Sequence, residues 1–438
     1  MSTTSSTFKS SSGANCHPTA LEIIQNNGLE GKLQDKVILI TGCSSGIGID
    51  TARALSVTGA TLYLTARDLK KAEQALGDLI EKPNVHLLTL NLNSLASVRA
   101  CAEEFLPKSS QLNVLINNAG VMATPEGRTQ DGFETQFGTN HLGHFTLFYL
   151  LKPILLASST PEFNSRVVNV SSLAHRYGEP VFDNINLEGI YEPWRAYGQS
   201  KTANIWTANE IERRYGSQGL HAFSVHPGGI RTGLQQYVPK EQKDAWDQDD
   251  AISSVWKTSE HGAATTVWAA VAKELEGKGG KYLEDCQIAE KYDPSTGTAG
   301  KGYAPWVYDE AKQAKLWEMS LNLAGIESPS EQEKQIFAIL DEYAQPSSST
   351  TASTAAQSIH EFAAPLLSDS QADGLENLLW QFWNIVINVA RQIPCDSPSQ
   401  ERLVELVKAL TEIPPTTIQI WGVSLPTSLI GLDWTKNF

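Results

Sequence analysis

A tyrosine and a lysine four residues apart are the side chains of this sequence best suited to acid–base chemistry. Tyr197 and Lys201 begin and end the run Tyr-Gly-Gln-Ser-Lys, and this spacing places both on one face of a helix. A phenol with a pKa of about 10 is a poor acid or base at neutral pH, but a nearby ammonium group stabilises its phenolate. The spacing alone is weak evidence, because Tyr308 and Lys312 repeat it. We interpret that second pair as ordinary helix surface.

The neighbouring segments distinguish Tyr197 and Lys201 from the second pair. They follow residues 167–172, Val-Val-Asn-Val-Ser-Ser, a strand-like run that ends in two hydroxyl groups. They precede Val-His-Pro-Gly-Gly at residues 225–229. The order of these segments, rather than the spacing of two residues, indicates a catalytic site.

A glycine-rich loop near the start of the chain predicts a dinucleotide site. The apolar run at residues 37–40 is followed by Thr-Gly-Cys-Ser-Ser-Gly-Ile-Gly at residues 41–48 and then by a helical pattern. A strand that stops at glycines and restarts as a helix leaves free backbone N–H groups, which bind anions. Glycines there allow a tight turn and a close approach of the pyrophosphate. The expected binding residues are Gly42, Ser44, Ser45, Gly46, Ile47 and Gly48.

The end of the second predicted strand indicates which nicotinamide cofactor binds. An acid at this position binds the ribose 2′-hydroxyl of NAD(H), whereas a basic residue binds the 2′-phosphate of NADP(H). Residues 64–67 read Leu-Thr-Ala-Arg, so there is no acid at Ala66 and a cation follows at Arg67. The alternative is that Arg67 is a solvated surface residue. The sequence favours NADP(H).

Two further predicted strands end in residues suited to cofactor contact. Asn91 and Leu92 follow the third strand, and Asn-Asn-Ala-Gly at residues 117–120 follows the fourth. Ligands of open α/β sheets bind at the carboxyl ends of the strands. Asn117 could instead cap the backbone at this edge, which is compatible with a place near the cofactor. The expected cofactor contacts are Asn91, Leu92, Asn118, Ala119 and Gly120.

The elements that must position these residues alternate along the chain. Strands are predicted at residues 37–40, 61–65, 85–90, 114–116, 167–170 and 222–225. Helices are predicted at residues 47–58, 94–105, 133–151 and 196–215, and a further amphipathic helix at residues 306–324. Such alternation predicts an α/β fold with a Rossmann-type, doubly wound parallel sheet covered by helices on both faces.

The composition limits the class of protein. A chain of 438 residues with 41% hydrophobic and 19% charged residues is typical of a soluble globular protein with two or three domains. The formal net charge of −15 argues against a nucleic-acid surface, which needs basic stripes. Five scattered cysteines indicate reduced thiols in the cytoplasm. No apolar run is long enough to predict a transmembrane segment, and both a monomer and a homo-oligomer remain open.

The composition also changes along the chain. Residues 1–32 are expected to be a disordered or loosely ordered tail, and residues 33–328 hold the α/β domain. Residues 329–373 contain the low-complexity run Pro-Ser-Ser-Ser-Thr-Thr and are expected to be a linker. Residues 374–438 show helical patterns and predict a small all-α extension. A genuine fusion, a truncated module and a gene-model artefact would each explain that extension.

Together the motifs resemble the short-chain dehydrogenase/reductase family, and within it the branch of retinol dehydrogenases and WW-domain oxidoreductases. The resemblance covers roughly residues 33–325. It is carried by residues 41–48, 117–120, 133–145, 169–172, 197–201, 227–232, 279–286 and 302–306. Residues 378–394 and 400–406 resemble the start of an uncharacterised helical family of filamentous fungi.

The resemblance implies a role for each matching residue. Tyr197 exchanges a proton with the substrate oxygen while the nicotinamide transfers hydride at the carbon. Lys201 holds the nicotinamide ribose and lowers the pKa of Tyr197. Ser172, rather than Ser171, hydrogen-bonds the substrate oxygen, and Asn140 holds a water of the proton relay. Tyr197 and Lys201 also contact the cofactor, and further contacts on its nicotinamide side come from Pro227, Gly228, Ile230 and Thr232.

The sequence departs from the family at Asn91, where members commonly carry aspartate near the adenine. The asparagine keeps an acceptor oxygen and adds a donor. His141 and His144 have helical spacing, but no third ligand accompanies them, so no metal site is expected. His175 and His226 flank the expected site, either as structural residues or as substrate contacts.

The resemblance implies an NADP(H)-dependent enzyme that interconverts a carbonyl and an alcohol on an apolar small molecule. A retinoid- or lipid-like compound and a fungal secondary-metabolite intermediate fit equally well. Residues 235–252 lie where the family places a variable substrate lid. The alternative is a non-catalytic dinucleotide-binding protein that acts through its helical extension. The intact Ser172, Tyr197 and Lys201 argue against this alternative.

Overall fold

The six predicted apolar runs form six adjacent strands of one eight-stranded sheet. The computed structural model describes residues 17–326. In chain order the strands are β1 Val37–Thr41, β2 Thr61–Ala66, β3 Val85–Thr89, β4 Val114–Asn117, β5 Ser165–Val170, β6 Leu220–His226, β7 Gly229–Ile230, β8 Trp256–Lys257, β9 Lys281–Glu284 and β10 Gln287–Ile288. Strands β7 and β8 form a separate two-stranded pair, and the other eight form the main sheet.

Helices alternate with these strands. They are α1 Ala20–Asn26, α2 Ile47–Ser56, α3 Leu69–Leu76, α4 Leu95–Phe105, α5 Thr135–Phe137, α6 Gly143–Ala157, α7 Pro193–Tyr215, α8 Lys240–Gln248, α9 Asp250–Ser253, α10 Ser259–Val271 and α11 Glu310–Leu323. A single π-helical turn, Gly138–Leu142, joins α5 to α6, so the one helix predicted at residues 133–151 contains a change of helical register.

The strand order creates a switch point beside the glycine loop. Across the main sheet the order is β10-β9-β6-β5-β4-β1-β2-β3, and every pairing is parallel except that of β10 with β9. The chain moves from β1 outward through β2 and β3, and then returns to place β4 on the other side of β1. A crevice opens where the order reverses, at the carboxyl ends of β1 and β4. The doubly wound, Rossmann-type α/β fold predicted from the sequence is confirmed.

Alternating side chains of the strands build two hydrophobic layers. Ile38 and Ile40 of β1 face a layer that includes α1, α2, α3 and α10. Val37 and Leu39 face the opposite layer, which includes α4, α6, α7 and α11. Because successive side chains of a strand point to opposite faces, one apolar run supplies both layers. The sheet is therefore fixed from both sides.

The N-terminal prediction is wrong in its second half. Residues 1–16 lie outside the described part of the chain, but residues 20–26 form α1 rather than a loose tail. Thr19 caps this helix in a capping box with Glu22, and α1 packs against α10 and α2. Ile23 and Ile24 are fully buried in the first layer. Seven residues with three buried positions were too short a pattern to identify from the sequence.

Two other differences concern the C-terminal half of the domain. Strands β9 and β10 and helix α10 were not among the predicted elements, and β9 extends the sheet beside β6. Tyr308 and Lys312 are not both on a helix, because α11 starts at Glu310 with Asp309 as its N-cap. Lys312 pairs with Glu179 at 2.6 Å. The predicted linker at residues 329–373 and the predicted all-α extension at residues 374–438 lie outside the described residues.

Across residues 17–326, none of the helices combines the length and the apolar character that crossing a membrane requires.

The docking of α1 leads to a stability prediction. Ile24→Ala should lower the free energy of unfolding by about 2–5 kcal/mol, because it removes a fully buried side chain and leaves a cavity. Leu21→Ala on the same helix is the matched control; Leu21 is 42% exposed, so we expect a change of less than about 0.5 kcal/mol. Urea denaturation followed by circular dichroism measures both. Equal small effects would mean that α1 is not docked in solution.

Candidate active site

The glycine loop brings the N-terminus of α2 to the edge of the crevice. Gly46 is the N-cap of α2, has a φ of 65° and provides no capping side chain. Gly42 lies so close to the β4 side of the crevice that a Cβ there would be 2.8 Å from the Cα of Ala119. A Cβ on the buried Gly48 would collide with the carbonyl oxygen of Gly42. At Gly42 and Gly48 the backbone therefore lies closer to neighbouring protein atoms than any residue with a Cβ would permit.

Cations stand at the carboxyl end of β2. Arg67 and Lys71 both line the crevice and are exposed. The neighbouring acid, Asp68, caps α3 by accepting the backbone N–H of Lys71 at 3.1 Å. Within residues 17–326, no carboxylate forms an ion pair with Arg67. This corner therefore presents two positive charges, and the neighbouring carboxylate, Asp68, caps α3.

The loops after β3 and β4 form the adjoining wall. Asn91, Leu92, Ala119 and Gly120 all line the crevice. The side chain of Asn118 donates to the carbonyl oxygen of Thr41 at 2.8 Å. Its own Oδ1 is buried and has no hydrogen-bond partner in the described part of the chain. Asn117 instead donates to Asn169 of the next strand at 2.8 Å, so it ties the sheet edge together.

The two acid–base candidates lie deep in the crevice on α7. Tyr197 is 4% exposed and Lys201 is 3% exposed. The Lys201 Nζ donates to the carbonyl oxygen of Val170 at 3.0 Å and stands 5.5 Å from the centroid of the Tyr197 ring. The structure brings both side chains together with the end of β5, as the sequence order predicted.

The two serines after β5 have different partners. The Ser171 hydroxyl donates to the backbone carbonyl of Lys201 at 2.9 Å, so it fastens β5 to α7. The Ser172 side chain lines the crevice and is hydrogen-bonded to the phenol of Tyr197, which favours the phenolate and lowers its pKa. Ser172 is therefore the serine whose hydroxyl is next to the acid–base candidate.

Burial sets the protonation of the pair. It raises the pKa of Tyr197 to about 12, even though the hydrogen bond to Ser172 acts in the opposite direction. It lowers the pKa of Lys201 to about 7. The sequence predicts that Lys201 lowers the pKa of Tyr197; in this structure the net shift has the opposite sign, because removal of the phenol from water outweighs the favourable contacts.

Asn140 lies behind the crevice rather than on its wall. It sits on the π-helical turn, and its side chain exchanges two hydrogen bonds with the backbone of Val121, at 2.8 and 2.9 Å. It also donates to the Ser200 hydroxyl at 3.0 Å. Both polar atoms of the amide are therefore engaged. Asn140 connects the loop after β4 with the helix that carries Lys201.

The turn after β6 closes the far side. Pro227, Gly228, Ile230 and Thr232 line the crevice, and Thr232 approaches the glycine loop at Gly46. The stem of Lys257 from β8 lies against Gly228, and its ammonium forms an ion pair with Asp285. Lys301 forms an ion pair with the same carboxylate. Lys257 therefore connects the turn after β6 with Asp285, and all three charged residues line the crevice.

The crevice encloses about 1210 Å³ and contains 18 of the 20 predicted site residues. Gly48 and Asn140 support it from behind. Lys71, Trp194 and Trp256 are among the lining residues that the sequence analysis did not identify. Lys71 lies four residues after Arg67, and this spacing was the available signal for it. The two tryptophans belong to no motif.

The two histidines with helical spacing are hydrogen-bonded inside the protein. His141 Nε2 lies 2.8 Å from the Ser320 hydroxyl, and His144 Nε2 lies 2.8 Å from the Thr41 hydroxyl. Burial lowers the pKa of His141 to about 3 and that of His144 to about 4. Over residues 17–326 no group of three or more His, Cys, Asp or Glu residues is arranged to hold a metal ion.

The sequence and the structure are similar to those of known proteins. Residues 36–243 match the family model described as short chain dehydrogenase. The short-chain dehydrogenase/reductase prx1 of Penicillium roqueforti is 54% identical over 309 residues, covering 70% of this chain and 91% of that protein. Human retinol dehydrogenase 12 is 37% identical over 309 residues, covering 67% of this chain and 88% of that protein. An uncharacterised protein of Mycobacterium paratuberculosis has a solved structure with a TM-score of 0.51 and 33% identity, covering 67% of this chain and 95% of that chain.

Replacing Lys201 with methionine should stabilise the protein when no ligand is bound. Burial lowers the pKa of Lys201 to about 7, whereas an exposed lysine of the unfolded chain titrates at about 10.4. Between these two pKa values the unfolded chain therefore binds more protons than the folded protein, and the free energy of unfolding rises with pH. Burial of Lys201 consequently destabilises the folded state most at the low-pH side of this range. Urea denaturation at pH 7 should show Lys201→Met more stable than wild type, with the difference shrinking as the pH rises toward 10.

The substitution leaves no carbonyl unpaired, because the Val170 oxygen also accepts from Asn204 at 3.1 Å. Lys70→Met, on the exposed side of α3, is the control and should change stability by less than about 0.5 kcal/mol. A Lys201→Met protein that is less stable than wild type at pH 7 would show that burial of the ammonium is not a net cost.

Proposed function

The chain belongs to the short-chain dehydrogenase/reductase family, in its retinol-dehydrogenase-like branch, and from this premise we propose that it is an NADP(H)-dependent oxidoreductase. It interconverts a carbonyl and an alcohol group on an apolar small molecule. The family binds a nicotinamide dinucleotide and acts on alcohols and carbonyl compounds. The observation that carries the proposal is that Tyr197, Lys201 and Ser172 meet in the same crevice as the glycine loop.

The residues of the crevice fit a dinucleotide. The N-terminus of α2 offers backbone N–H groups with no side chain capping them, which suits a pyrophosphate. A Cβ at Gly42 would collide with Ala119 and one at Gly48 with the Gly42 carbonyl oxygen, so glycine at both positions allows the tight turn that a dinucleotide loop needs. The Oδ1 of Asn118 is buried and has no hydrogen-bond partner among residues 17–326, so it supplies an acceptor that a cofactor donor would satisfy.

The corner at the end of β2 supports NADP(H) over NAD(H). A 2′-phosphate needs cations, and Arg67 and Lys71 both face this corner. A free ribose 2′-hydroxyl needs an acid at the strand end, where Ala66 stands. The nearby carboxylate of Asp68 caps α3. The charge here therefore matches a phosphate.

The chain's own residues handle the proton. A bound nicotinamide supplies the hydride to the carbonyl carbon in reduction, or accepts it in oxidation. Tyr197 gives its phenolic proton to the carbonyl oxygen in reduction and takes the hydroxyl proton in the reverse direction. The raised pKa keeps the phenol protonated near neutral pH, which suits the first step of reduction. The Ser172 hydroxyl lies beside the phenol, where it can hydrogen-bond the same substrate oxygen.

Lys201 and Asn140 support this exchange. The Lys201 ammonium uses one donor on Val170, so donors remain for the ribose of a bound cofactor. Asn140 binds Val121 and Ser200 and thereby holds α7 against the loop after β4. In this assignment Asn140 acts through its hydrogen bonds to the protein.

The walls of the crevice support an apolar substrate. Trp194 packs edge-on against Tyr197, with centroids 6.1 Å apart, and against Trp246 of α8 at 5.8 Å. Trp246 in turn approaches Trp256 at 6.2 Å. The half-exposed Tyr237 lines the same mouth. A retinoid- or lipid-like compound and a fungal secondary-metabolite intermediate both suit such a surface.

Tyr197→Phe should lower kcat at least about 100-fold, because it removes the proton donor. The measurement is NADPH oxidation with a panel of apolar aldehydes and ketones that includes all-trans-retinal, decanal and alicyclic ketones. The Kd of NADPH should change less than about twofold. Tyr308→Phe is the matched control, because Tyr308 is 40% exposed and does not line the crevice. Wild-type protein that binds NADPH but reduces no member of the panel would favour the non-catalytic alternative.

Arg67→Ala should weaken NADPH binding selectively. Loss of a charged hydrogen bond costs about 1.5–3 kcal/mol, which corresponds to an increase of about 10- to 150-fold in the Kd of NADPH. The Kd of NADH should be almost unchanged, and Lys70→Ala should affect neither. Titration of cofactor fluorescence measures the Kd of NADPH and of NADH for each variant and for wild type. An equal loss for NADH and NADPH would contradict the assignment of Arg67 to the 2′-phosphate.

A further inference from the structure

Two buried histidines hold opposite sides of one peptide group, the one that joins Ser172 to Leu173. His175 Nδ1 lies 2.7 Å from the carbonyl oxygen of Ser172. The backbone N–H of Leu173 donates to His226 Nδ1 at 3.3 Å. His175 is fully buried and His226 is 9% exposed. The peptide is therefore bound by one imidazole through its oxygen and by another through its nitrogen.

The partners of each ring define its tautomer. His175 must carry its proton on Nδ1, because a carbonyl oxygen can only accept, and its Nε2 accepts the backbone N–H of Ala304 at 3.0 Å. His226 must carry its proton on Nε2, because its Nδ1 accepts from Leu173. Burial lowers the pKa of His175 to about 4 and that of His226 to about 3. Both rings are therefore neutral at physiological pH, as these bonds require.

The peptide lies beyond the sheet, and its carbonyl oxygen also accepts the backbone N–H of His175 at 3.1 Å. The backbone N–H of Ser171 still bonds to Val225 at 2.7 Å, but β5 ends at Val170. Ser172 is extended and caps the short 3₁₀ helix Leu173–Tyr177, accepting the N–H of Ala174 at 3.1 Å. The direction of the Ser172 hydroxyl follows from the plane of this peptide.

We propose that His175 and His226 are positioning residues that fix the Ser172–Leu173 peptide and thereby aim the Ser172 hydroxyl at the substrate oxygen. The proposal rests on the proposed function, in which Ser172 binds that oxygen. His175 has no ring nitrogen left for a substrate, since both are bonded to backbone. His226 ends β6 directly before Pro227, so the histidine pair also connects the cofactor turn to the serine.

The test is a double-mutant cycle on kcat with Ser172→Ala. His226→Leu removes the acceptor of the Leu173 N–H and should lower kcat about 10- to 100-fold, with the Kd of NADPH changed less than about twofold. His226→Asn offers an amide oxygen in a similar position and should recover most of the loss. In the Ser172→Ala background, His226→Leu should change kcat less than about twofold, because no hydroxyl remains to be positioned.

His175 supplies a second arm. His175→Asn keeps an N–H donor for the Ser172 carbonyl and should retain more activity than His175→Leu. His141→Leu is the matched control, a buried histidine bonded to Ser320; it should lower the melting temperature but leave kcat within about twofold. If His175→Leu does not fold, the His226 variants still decide the question.

The outcomes separate the two levels of the proposal. Losses of equal size from His226→Leu with and without the Ser172 hydroxyl would overturn the positioning role while leaving the chemistry of Tyr197 intact. Full activity of Ser172→Ala would overturn both the positioning role and the part of the proposed function assigned to Ser172. Absence of turnover in wild type would contradict the proposed function and, with it, the positioning role.

Nitrogen-15 NMR of histidine-labelled protein tests the arrangement without turnover. The expected spectrum shows His175 protonated on Nδ1 and His226 protonated on Nε2, with neither ring titrating between pH 5 and pH 9. The charged groups around the rings are Arg176, Lys257 and Asp285. Reversed tautomers, or a ring that titrates in this range, would overturn the arrangement on which the proposal stands.

Discussion

Burial of helix α7 is the constraint on which the site depends. Every residue from Ala196 to Ile211 is buried, although the sequence of this stretch is rich in amides and hydroxyls. A buried polar group without a partner is costly, and most polar side chains of this stretch are hydrogen-bonded inside the protein. Gln199 donates to the Ile185 carbonyl and Asn209 donates to the Val307 carbonyl. The Thr202 hydroxyl lies within hydrogen-bond distance of the His175 and Gly178 carbonyl oxygens, at 2.9 and 2.7 Å. These bonds fix the rotation and depth of the helix, and with them the positions of Tyr197 and Lys201.

The same burial decides the charges. Removal from water favours the neutral form of both groups, which raises the pKa of Tyr197 to about 12 and lowers that of Lys201 to about 7. The pair is therefore set as a protonated phenol beside an ammonium that loses its proton easily. The hydrogen bond from Lys201 to the Val170 carbonyl offsets part of the free energy that burial of the ammonium costs. Within residues 17–326 no carboxylate pairs with Lys201, and a buried charge of this kind in a crevice is typical of a functional site rather than of a structural one.

Much of this arrangement could be predicted from the sequence. The β-branched runs at residues 37–40 and 114–116 mark the strands on either side of the switch point, and the glycine loop marks the end of the first. Local patterns could not identify α1, because seven residues with three buried positions carry too little periodicity. Strands β9 and β10 escaped for a related reason: they are four and two residues long, and charged Glu284 and Asp285 lie where they meet. The sign of the Tyr197 pKa shift depends on how deeply the whole fold buries the phenol, which no spacing of two residues reports.

The partners of the polar side chains explain why some site residues were easy to name and others were not. Gln199, Thr202, Asn204 and Asn209 all donate to backbone carbonyls of distant segments. A side chain that bonds to backbone needs no complementary side chain elsewhere in the sequence. Its role therefore cannot be predicted until the fold is known. His175 and His226 are the same case, since each binds a peptide group. Tyr197 and Lys201 could be found because the proposed acid–base chemistry needs both side chains together, and residues that share one face of a helix are four positions apart in the sequence.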